Sequence, residues 1–312
     1  MKKNYMLGLV FAGLTSLPMQ AQVNQFPKAW GQQAPKTQFA LSQKQLKAPS
    51  AINDKALGVT VYAGERMDES KKRSLIKFKA NNKEYGKFDR IRHYYLSNEE
   101  YDQNYGIMMG ASDGKDYYAI FGYSFTYGYM GYNFAKVDMQ TGDTTVVRTF
   151  TEDERGRWYN NNEAVYDMAY DEHSKTLYAL GYGFKEVGED TYGFTRLYAV
   201  DKETGAWDLV TDFDCIYYEF CFDYDGNMYA TRPKAAKDGE TVEGTELVKL
   251  DSDFNEVSAK EIKQEWGESI VMYQFGAISM DNTTNTLYWI PATKYGATSM
   301  YTIDQEAGVC RS

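Results

Sequence analysis

Tyrosines, carboxylates and amides occur at four places along the chain, alone or together, each at or just before a strand-like run. They are Tyr105; Asn162, Glu163 and Asp167; Tyr217, Tyr218 and Glu219; and Tyr273 with Gln274. Aromatic faces beside carboxylates and amides are suited to the faces and hydroxyls of sugars, or to a bound cation. Alternatively, the tyrosines pack between sheets while the polar groups hold the strand ends. The sequence leaves both interpretations open.

A second concentration of aromatic residues lies in one glycine-rich stretch, Gly122 to Tyr132. Glycine and tyrosine nearly alternate there, with Tyr127 and Tyr129 near the centre. Tyrosine with glycine provides an adaptable contact surface, so the stretch is a candidate ligand-binding loop. The same composition would also suit a loop that only covers a neighbouring part of the fold.

Metal binding and imidazole chemistry have few candidate residues. Asp223, Asp225 and Asn227 alternate as the oxygen ligands of a calcium loop do, but the glutamate that completes an EF-hand loop is missing at the required distance. A turn explains the same residues, because Asp and Asn satisfy backbone groups. The two histidines, His93 and His173, have no placement typical of a general base or zinc ligand. We therefore expect no catalytic triad and no cofactor, with Ca²⁺ as the one metal still open.

The elements that position these residues are visible as a repeat. Two short strand-like patterns recur five times in the same order: the first contains a tyrosine, and the second ends in Asp in four copies. The tyrosines are Tyr62, Tyr118, Tyr178, Tyr229 and Tyr288. The second pattern occupies residues 74–78, 134–138, 197–201, 247–251 and 300–304. No segment keeps apolar residues at helical spacing for three turns, so the patterns indicate strands.

Each copy has room for four short antiparallel strands, which cannot bury both faces of their sheet alone. Radial stacking of the sheets buries them, and the repeat therefore predicts an all-β fold, a β-propeller with about five four-stranded antiparallel blades. The blades are predicted at approximately 57–92, 104–151, 163–213, 217–262 and 272–312. A β-sandwich also uses short strands but would not show this registered repeat. The five tyrosines should occupy equivalent positions on second strands.

Two segments resemble known propeller families. Residues 223–230, Asp-Tyr-Asp-Gly-Asn-Met-Tyr-Ala, look like the hairpin of NHL and gluconolactonase-type propellers. Leu197 to Asp201, followed by Thr204-Gly205, is similar to the strand-turn repeat of YncE-like and quinoprotein-like propellers. The tyrosine-rich blades, acidic balance and N-terminal segment resemble those of exported proteins of Bacteroidota. The resemblance implies a propeller from near Leu57 to the C-terminus.

The N-terminal residues predict export. Lys2 and Lys3 precede an apolar stretch and a small-residue cleavage site, so residues 1–21 are predicted to be a signal peptide and 22–56 a flexible linker. Removal of that peptide, which holds two lysines and no acidic residue, leaves 32 Lys and Arg against 44 Asp and Glu, a net charge of −12. Such a surface repels nucleic acids and anionic membranes. We expect a periplasmic, cell-surface or extracellular protein without a transmembrane segment in its mature chain.

Three cysteines are an odd number for an exported chain. Cys215 and Cys221 could form a disulfide across neighbouring turns. Their short spacing is more typical of two small buried hydrophobic residues.

Two functions follow from these features. The first is a binding module that presents the channel rim or aromatic loop to a glycan or protein partner. The alternative is a lactonase-like or polysaccharide-cleaving enzyme, in which Glu163, Asp167 and Glu219 act at the channel mouth, with or without a divalent cation. In either case Tyr218, Glu219 and Tyr273 should lie together, and Glu219→Ala should leave stability within about 1 kcal/mol.

The ends of the chain predict an open ring. The first copy begins at its second strand, and residues 309–312 are too few for an outer strand of the fifth blade and a closing strand besides. We therefore expect an incomplete propeller and a natural gene product that continues past Ser312.

Overall fold

The computed structural model describes residues 60–65, 73–79, 89–94, 106–124, 130–150, 164–187, 190–236, 241–272, 274–282, 284–293 and 300–311. Every helix or strand in these ranges is a β-strand. The predicted signal peptide and linker lie outside the described residues. No helix in the described ranges is long and apolar enough to cross a membrane.

The described strands form five sheets. In chain order they are β1 (Thr60–Glu65), β2 (Arg73–Lys79), β3 (Asp89–Tyr94), β4 (Gly106–Ser112), β5 (Asp116–Ser124), β6 (Met130–Asp138), β7 (Thr144–Thr149), β8 (Ala164–Asp171), β9 (Thr176–Val187), β10 (Asp190–Val200), β11 (Trp207–Phe213), β12 (Glu219–Phe222), β13 (Met228–Ala235), β14 (Val242–Leu250), β15 (Glu256–Glu261), β16 (Lys263–Gln264), β17 (Gln274–Asp281), β18 (Thr286–Ala292), β19 (Tyr301–Asp304) and β20 (Val309–Arg311).

Strand order identifies the fold as a β-propeller. Sheets β4–β7, β8–β11, β12–β15 and β17–β20 are antiparallel meanders of consecutive strands and form blades two to five. The first blade contributes β1–β3. First strands contact one another in succession, β4 with β8, β8 with β12 and β12 with β17, so they surround a common axis. The predicted all-β propeller class is confirmed.

Strand register confirms the repeat. In each blade the residue before the predicted tyrosine pairs with the residue at the same place in the next strand. The pairs are Val61–Phe78, Tyr117–Val137, Leu177–Val200, Met228–Leu250 and Leu287–Ile303. In blades two to five these tyrosines lie on the second strand. β1 pairs in the same register, so the first blade shows the equivalents of second, third and fourth strands.

Hydrophobic contacts between successive sheets form the core. Tyr118 and Phe134 of blade two pack with Leu177 and Val200 of blade three. Blades three, four and five share a larger cluster that includes Tyr178, Phe220 and Trp289. Side chains alternate between the two faces of a strand, and stacking therefore buries both faces of the middle sheets.

The turns between third and fourth strands repeat the same hydrogen bonds. In blade three, Asp201 Oδ1 accepts from the backbone N–H groups of Glu203 and Thr204 at 2.8 and 2.9 Å. Gly205 has φ +69°, and a Cβ there would approach Arg148 Cβ of the preceding blade at 2.8 Å. Glycine is required by both the conformation and the close approach. Asp138 with Gly142 and Asp304 with Gly308 form the equivalent turns.

The fifth blade corrects one prediction. Residues 309–311 do form a fourth strand, since β20 pairs antiparallel with β19. This short strand is stabilised on its other edge as well, because β16 pairs with it as a parallel strand. Among the described strands no sheet combines the first and fifth blades. The open ring stays a prediction.

All three cysteines are free thiols. Cys221 and Cys310 are buried and Cys215 is partly buried, which agrees with the interpretation of Cys215 and Cys221 as small buried hydrophobic residues rather than a disulfide.

Candidate functional site

Four predicted site residues lie in the described part of the chain: Asp167 on β8, Tyr218 just before β12, Glu219 at its start and Gln274 at the start of β17. The others, Tyr105, Glu163, Tyr273, Tyr127 and Tyr129, lie outside the described residues. The predicted meeting of Tyr218, Glu219 and Tyr273 therefore stays a prediction. The structure does bring Asp167 and Glu219 to adjacent first strands.

Asp167 and Glu219 occupy the same position of the repeat. Asp167 pairs with Leu180 and Glu219 with Thr231, each two residues after the repeated tyrosine. The equivalent residues are Met109, paired with Ile120 in blade two, and Ala277, paired with Ile290 in blade five. One position at the axis is thus Met, Asp, Glu and Ala in successive blades. Carboxyl groups are specific to the two middle blades.

Glu219 is completely buried and joins blade four to blade five. Its Oε1 accepts from the indole N–H of Trp289 at 2.6 Å, and its Oε2 accepts from the backbone N–H of Gly276 at 2.9 Å. Burial raises the pKa of this carboxyl to about 7, against hydrogen bonds from Gly276, Trp289 and Thr231 that lower it. Because of these two contacts we now expect Glu219→Ala to lower stability by more than the sequence alone predicts.

Asp167 joins blade three to blade four in the same way. Its Oδ2 accepts from the backbone N–H of Phe220 at 2.9 Å, and its Oδ1 accepts from Met168 N–H at 2.9 Å. Burial raises its pKa well above the usual range, and the charge of Glu219 raises it further. Yet the residue is partly accessible to solvent, unlike Glu219. An enclosed but accessible side chain on a first strand is placed to line the space around the axis.

A strand irregularity helps to orient Asp167. The register of β8 with β9 shifts between Val165 and Asp167, and β4 has the equivalent shift before Met109. Such bulges change the direction of the side chain that follows them. The Asp167 carboxyl is therefore oriented by a backbone feature that blade three shares with blade two.

The segment that leads into β12 is fixed by a buried threonine, which the sequence interpretation missed. Thr195 Oγ1 accepts from Tyr217 N–H at 2.9 Å and donates to the Cys215 carbonyl at 2.8 Å. Thr245 holds the next segment, since its Oγ1 accepts from Met272 N–H at 3.2 Å. Both threonines stand two residues before the start of the second repeated pattern. Alignment of the copies farther upstream could have found them.

Tyr218, the residue before Glu219, is buried rather than exposed at a rim. Its backbone N–H donates to the Thr231 carbonyl at 2.7 Å. Burial raises the pKa of its hydroxyl, and the Glu219 charge adds to that shift. The neighbouring Tyr166 donates its hydroxyl to the Tyr217 carbonyl. These tyrosines pack between blades, as the structural alternative predicts.

The candidate calcium residues form a turn. Asp223 Oδ1 accepts from the backbone N–H groups of Asp225 and Asn227 at 3.0 and 2.8 Å, and Oδ2 accepts from Asn227 Nδ2 at 2.7 Å. These bonds use the lone pairs that a cation would need. In the described ranges, no group of three or more His, Cys, Asp or Glu residues could hold a metal ion.

The axial carboxyls are suited to proton transfer. The charged neighbour that raises the pKa of Asp167 is another carboxyl, Glu219. Two acids that share a low-dielectric site do not both ionise readily, so the pair retains a proton near neutral pH. Asp167, the accessible member, can present that proton or an acceptor oxygen to a ligand at the axis.

No protein-family model matches the chain, and the comparison with curated proteins finds no match. The comparison with solved structures does find matches. A GH43 β-xylosidase/α-arabinofuranosidase from a compost microbial metagenome is 9% identical over 80% of this chain and 88% of that chain, with a TM-score of 0.47. A GH43 enzyme from Xanthomonas citri is 10% identical over 68% and 73%, with a TM-score of 0.46. An oligogalacturonate lyase in complex with manganese is 12% identical over 81% and 61%, with a TM-score of 0.37.

With TM-scores below 0.5, these likenesses identify neither a substrate nor a reaction for this chain. They add no residue to the site described above. The finer resemblance to NHL-type and YncE-like propellers and to proteins of Bacteroidota stays a prediction.

Proposed function

We propose that this protein is an exported, carbohydrate-directed enzyme that performs acid–base chemistry on a neutral glycan at the propeller axis. Asp167 is the group that contacts the substrate, and Glu219 is a positioning residue that sets the protonation of Asp167. The observation that carries the proposal is the placement of two carboxyls at one repeat position in adjacent blades.

The repeat itself acts as an internal control. Met109 and Ala277 occupy the same position, so a first strand of this propeller does not need a carboxyl there. Burial of an acid without a cation costs free energy, which the fold avoids in those two blades. The cost at Asp167 and Glu219 therefore favours a role in chemistry. The interblade hydrogen bonds alone do not require an acid whose pKa is raised.

The chemistry follows from the pKa shifts. A general acid is most effective when its pKa is near the working pH, and both carboxyls have raised pKa values. Protonated Asp167 can donate its proton to a glycosidic oxygen as the bond from that oxygen to the anomeric carbon breaks. A water molecule then adds to that carbon and returns a proton to Asp167, so the net reaction is hydrolysis. Glu219 is fully buried and acts through Asp167.

The charge of the chain favours a neutral substrate. With a net charge of −10 in the full sequence, acidic polysaccharides and phosphate-rich polymers are repelled. The aromatic and amide residues predicted around the first strands suit sugar faces and hydroxyls. A neutral glycan meets both conditions.

The test is turnover of neutral polysaccharides by the full chain, with xylan, galactomannan and mixed-linkage β-glucan as probes and released reducing ends as the readout. Asp167→Asn should lower kcat about a hundredfold or more with little change in KM, since the contribution of general acid catalysis is about that size. Asp201→Asn, in a turn distant from the axis, is the matched control and should retain activity.

Two results would overturn the proposal. One is full activity in Asp167→Asn. The other is binding of these polysaccharides by the wild-type protein without release of any product, which would support the binding module instead.

A further inference from the structure

The connection between blades four and five carries a projection that the preceding connection lacks. Blades three and four are joined by residues 214–218 alone. The corresponding connection after β15 contains β16 and a tight turn before β17 begins. Since residues 214–218 suffice to link blades three and four, this longer segment exceeds what a connection needs.

The projection is rigid. Gly267 N–H donates to the Gln264 carbonyl at 2.7 Å, and Gln264 N–H donates to the Glu268 carbonyl at 2.8 Å. Gly267 has φ +89°, which closes the turn, and Lys263 pairs with Ser269 across its base. The pairing of β16 with β20 fixes that base to blade five.

Trp266 lies at the tip of this turn with 70% of its surface exposed. Trp289, in contrast, is fully buried. The indole N–H of Trp266 donates to the Glu268 carboxylate at 3.1 Å. That bond restrains the ring while most of the side chain is left exposed. Exposure of so large an apolar side chain is costly unless a ligand covers it.

Strand direction places Trp266 at the same end of the propeller as the axial site. The connection from a fourth strand to the next first strand lies at the end where first strands begin. Glu219 stands at the start of β12 and Gln274 at the start of β17, so the turn that follows β15 belongs to that end. The order β16-β20-β19-β18-β17 sets the base of the turn at the outer edge of blade five.

We propose that Trp266 is an aromatic platform that stacks on a pyranose ring of a neutral polysaccharide. Its neighbours in the turn, Gln264, Glu265, Glu268 and Ser269, are polar, whereas a protein hot spot lies within a desolvated apolar patch. A sugar ring has one apolar face and hydroxyl edges, which match an isolated indole with carboxylates beside it. Nucleic bases also stack on tryptophan, but the negative charge of the chain repels their phosphates.

This platform is independent of the proposed function, because it requires no reaction at Asp167. Native gel electrophoresis in gels that contain xylan, galactomannan or mixed-linkage β-glucan measures it directly. At least one neutral polysaccharide should retard the wild-type protein. Trp266→Ala should weaken that affinity about tenfold or more, the usual scale of a stacking contact. Trp266→Phe should retain part of the affinity.

Val257→Ala is the control, because Val257 is 59% exposed on the outer strand of blade four and is expected to have no effect. Retardation requires no turnover, so a failure of the assay for the axial reaction leaves this test unaffected. Equal retardation of Trp266→Ala and wild type would overturn the platform. So would no retardation of the wild type by any probe, or a concentration-dependent dimer that Trp266→Ala abolishes.

Discussion

Aspartates at the turns and at the axis have opposite pKa shifts. Asp138, Asp201 and Asp304 are exposed, and backbone N–H groups of their own turns hold their pKa values below the usual range. Burial raises the pKa of Asp167 at the axis instead. The turn aspartates recur in blade after blade, whereas the axial carboxyls occur in two blades only. Repetition marks the residues that build the propeller, and departure from it marks the two carboxyls for which we propose a chemical role.

The two regions should also respond differently to substitution. Substitution of a turn aspartate removes two exposed hydrogen bonds, and water can replace both. Substitution of an axial carboxyl leaves buried donors without an acceptor. At a fully buried position no water replaces that acceptor.

The largest expected effect is at Glu219. Glu219→Ala leaves the indole N–H of Trp289 and the backbone N–H of Gly276 unpaired between blades four and five. We expect a loss of about 3 kcal/mol or more in the free energy of unfolding, measured by urea denaturation. Asp201→Ala should cost much less, because water can replace its two exposed hydrogen bonds. Equal losses in the two variants would remove the distinction between the regions.

A smaller effect separates two glycines with positive φ. Gly205→Ala combines an unfavourable conformation with a Cβ only 2.8 Å from Arg148 Cβ of the neighbouring blade. Gly267, in the Trp266 turn, has φ +89° and open space around it. Gly205→Ala should therefore cost about 2 kcal/mol and Gly267→Ala about 1 kcal/mol, by thermal or urea unfolding. A larger loss for Gly267→Ala would show that the turns between blades are not close-packed.

The sequence predicted the fold because the repeat is local. Each tyrosine and each strand-ending Asp lies in a short pattern, and pairing of adjacent strands follows from it. The sequence did not predict β20, because the segment is too short to be recognised as a strand. This strand is stabilised by pairing with β16, which lies many residues earlier in the chain. The short outer strand is stable only in that tertiary setting.

The candidate site was less predictable. The sequence singled out Asp167 and Glu219, but not their burial, since Glu219 is covered by Trp289, 70 residues later in the chain. Trp266 gave no signal either, because aromatic residues are usually buried and its exposure depends on a turn that projects from the fold. Contacts between blades decide which polar side chains are enclosed.

The proton held by the axial carboxyls is tested most directly by the pH dependence of stability. Glu219 has a pKa of about 7 in the folded protein and about 4.5 when unfolded, so the folded state keeps a proton that the unfolded state has lost. The free energy of unfolding should therefore fall as pH rises through this window, and flatten above it. In Glu219→Gln that fall should be smaller. If the difference between the two proteins were constant over the window, or if wild type gained stability with rising pH relative to Glu219→Gln, the account of the axial pair would be contradicted.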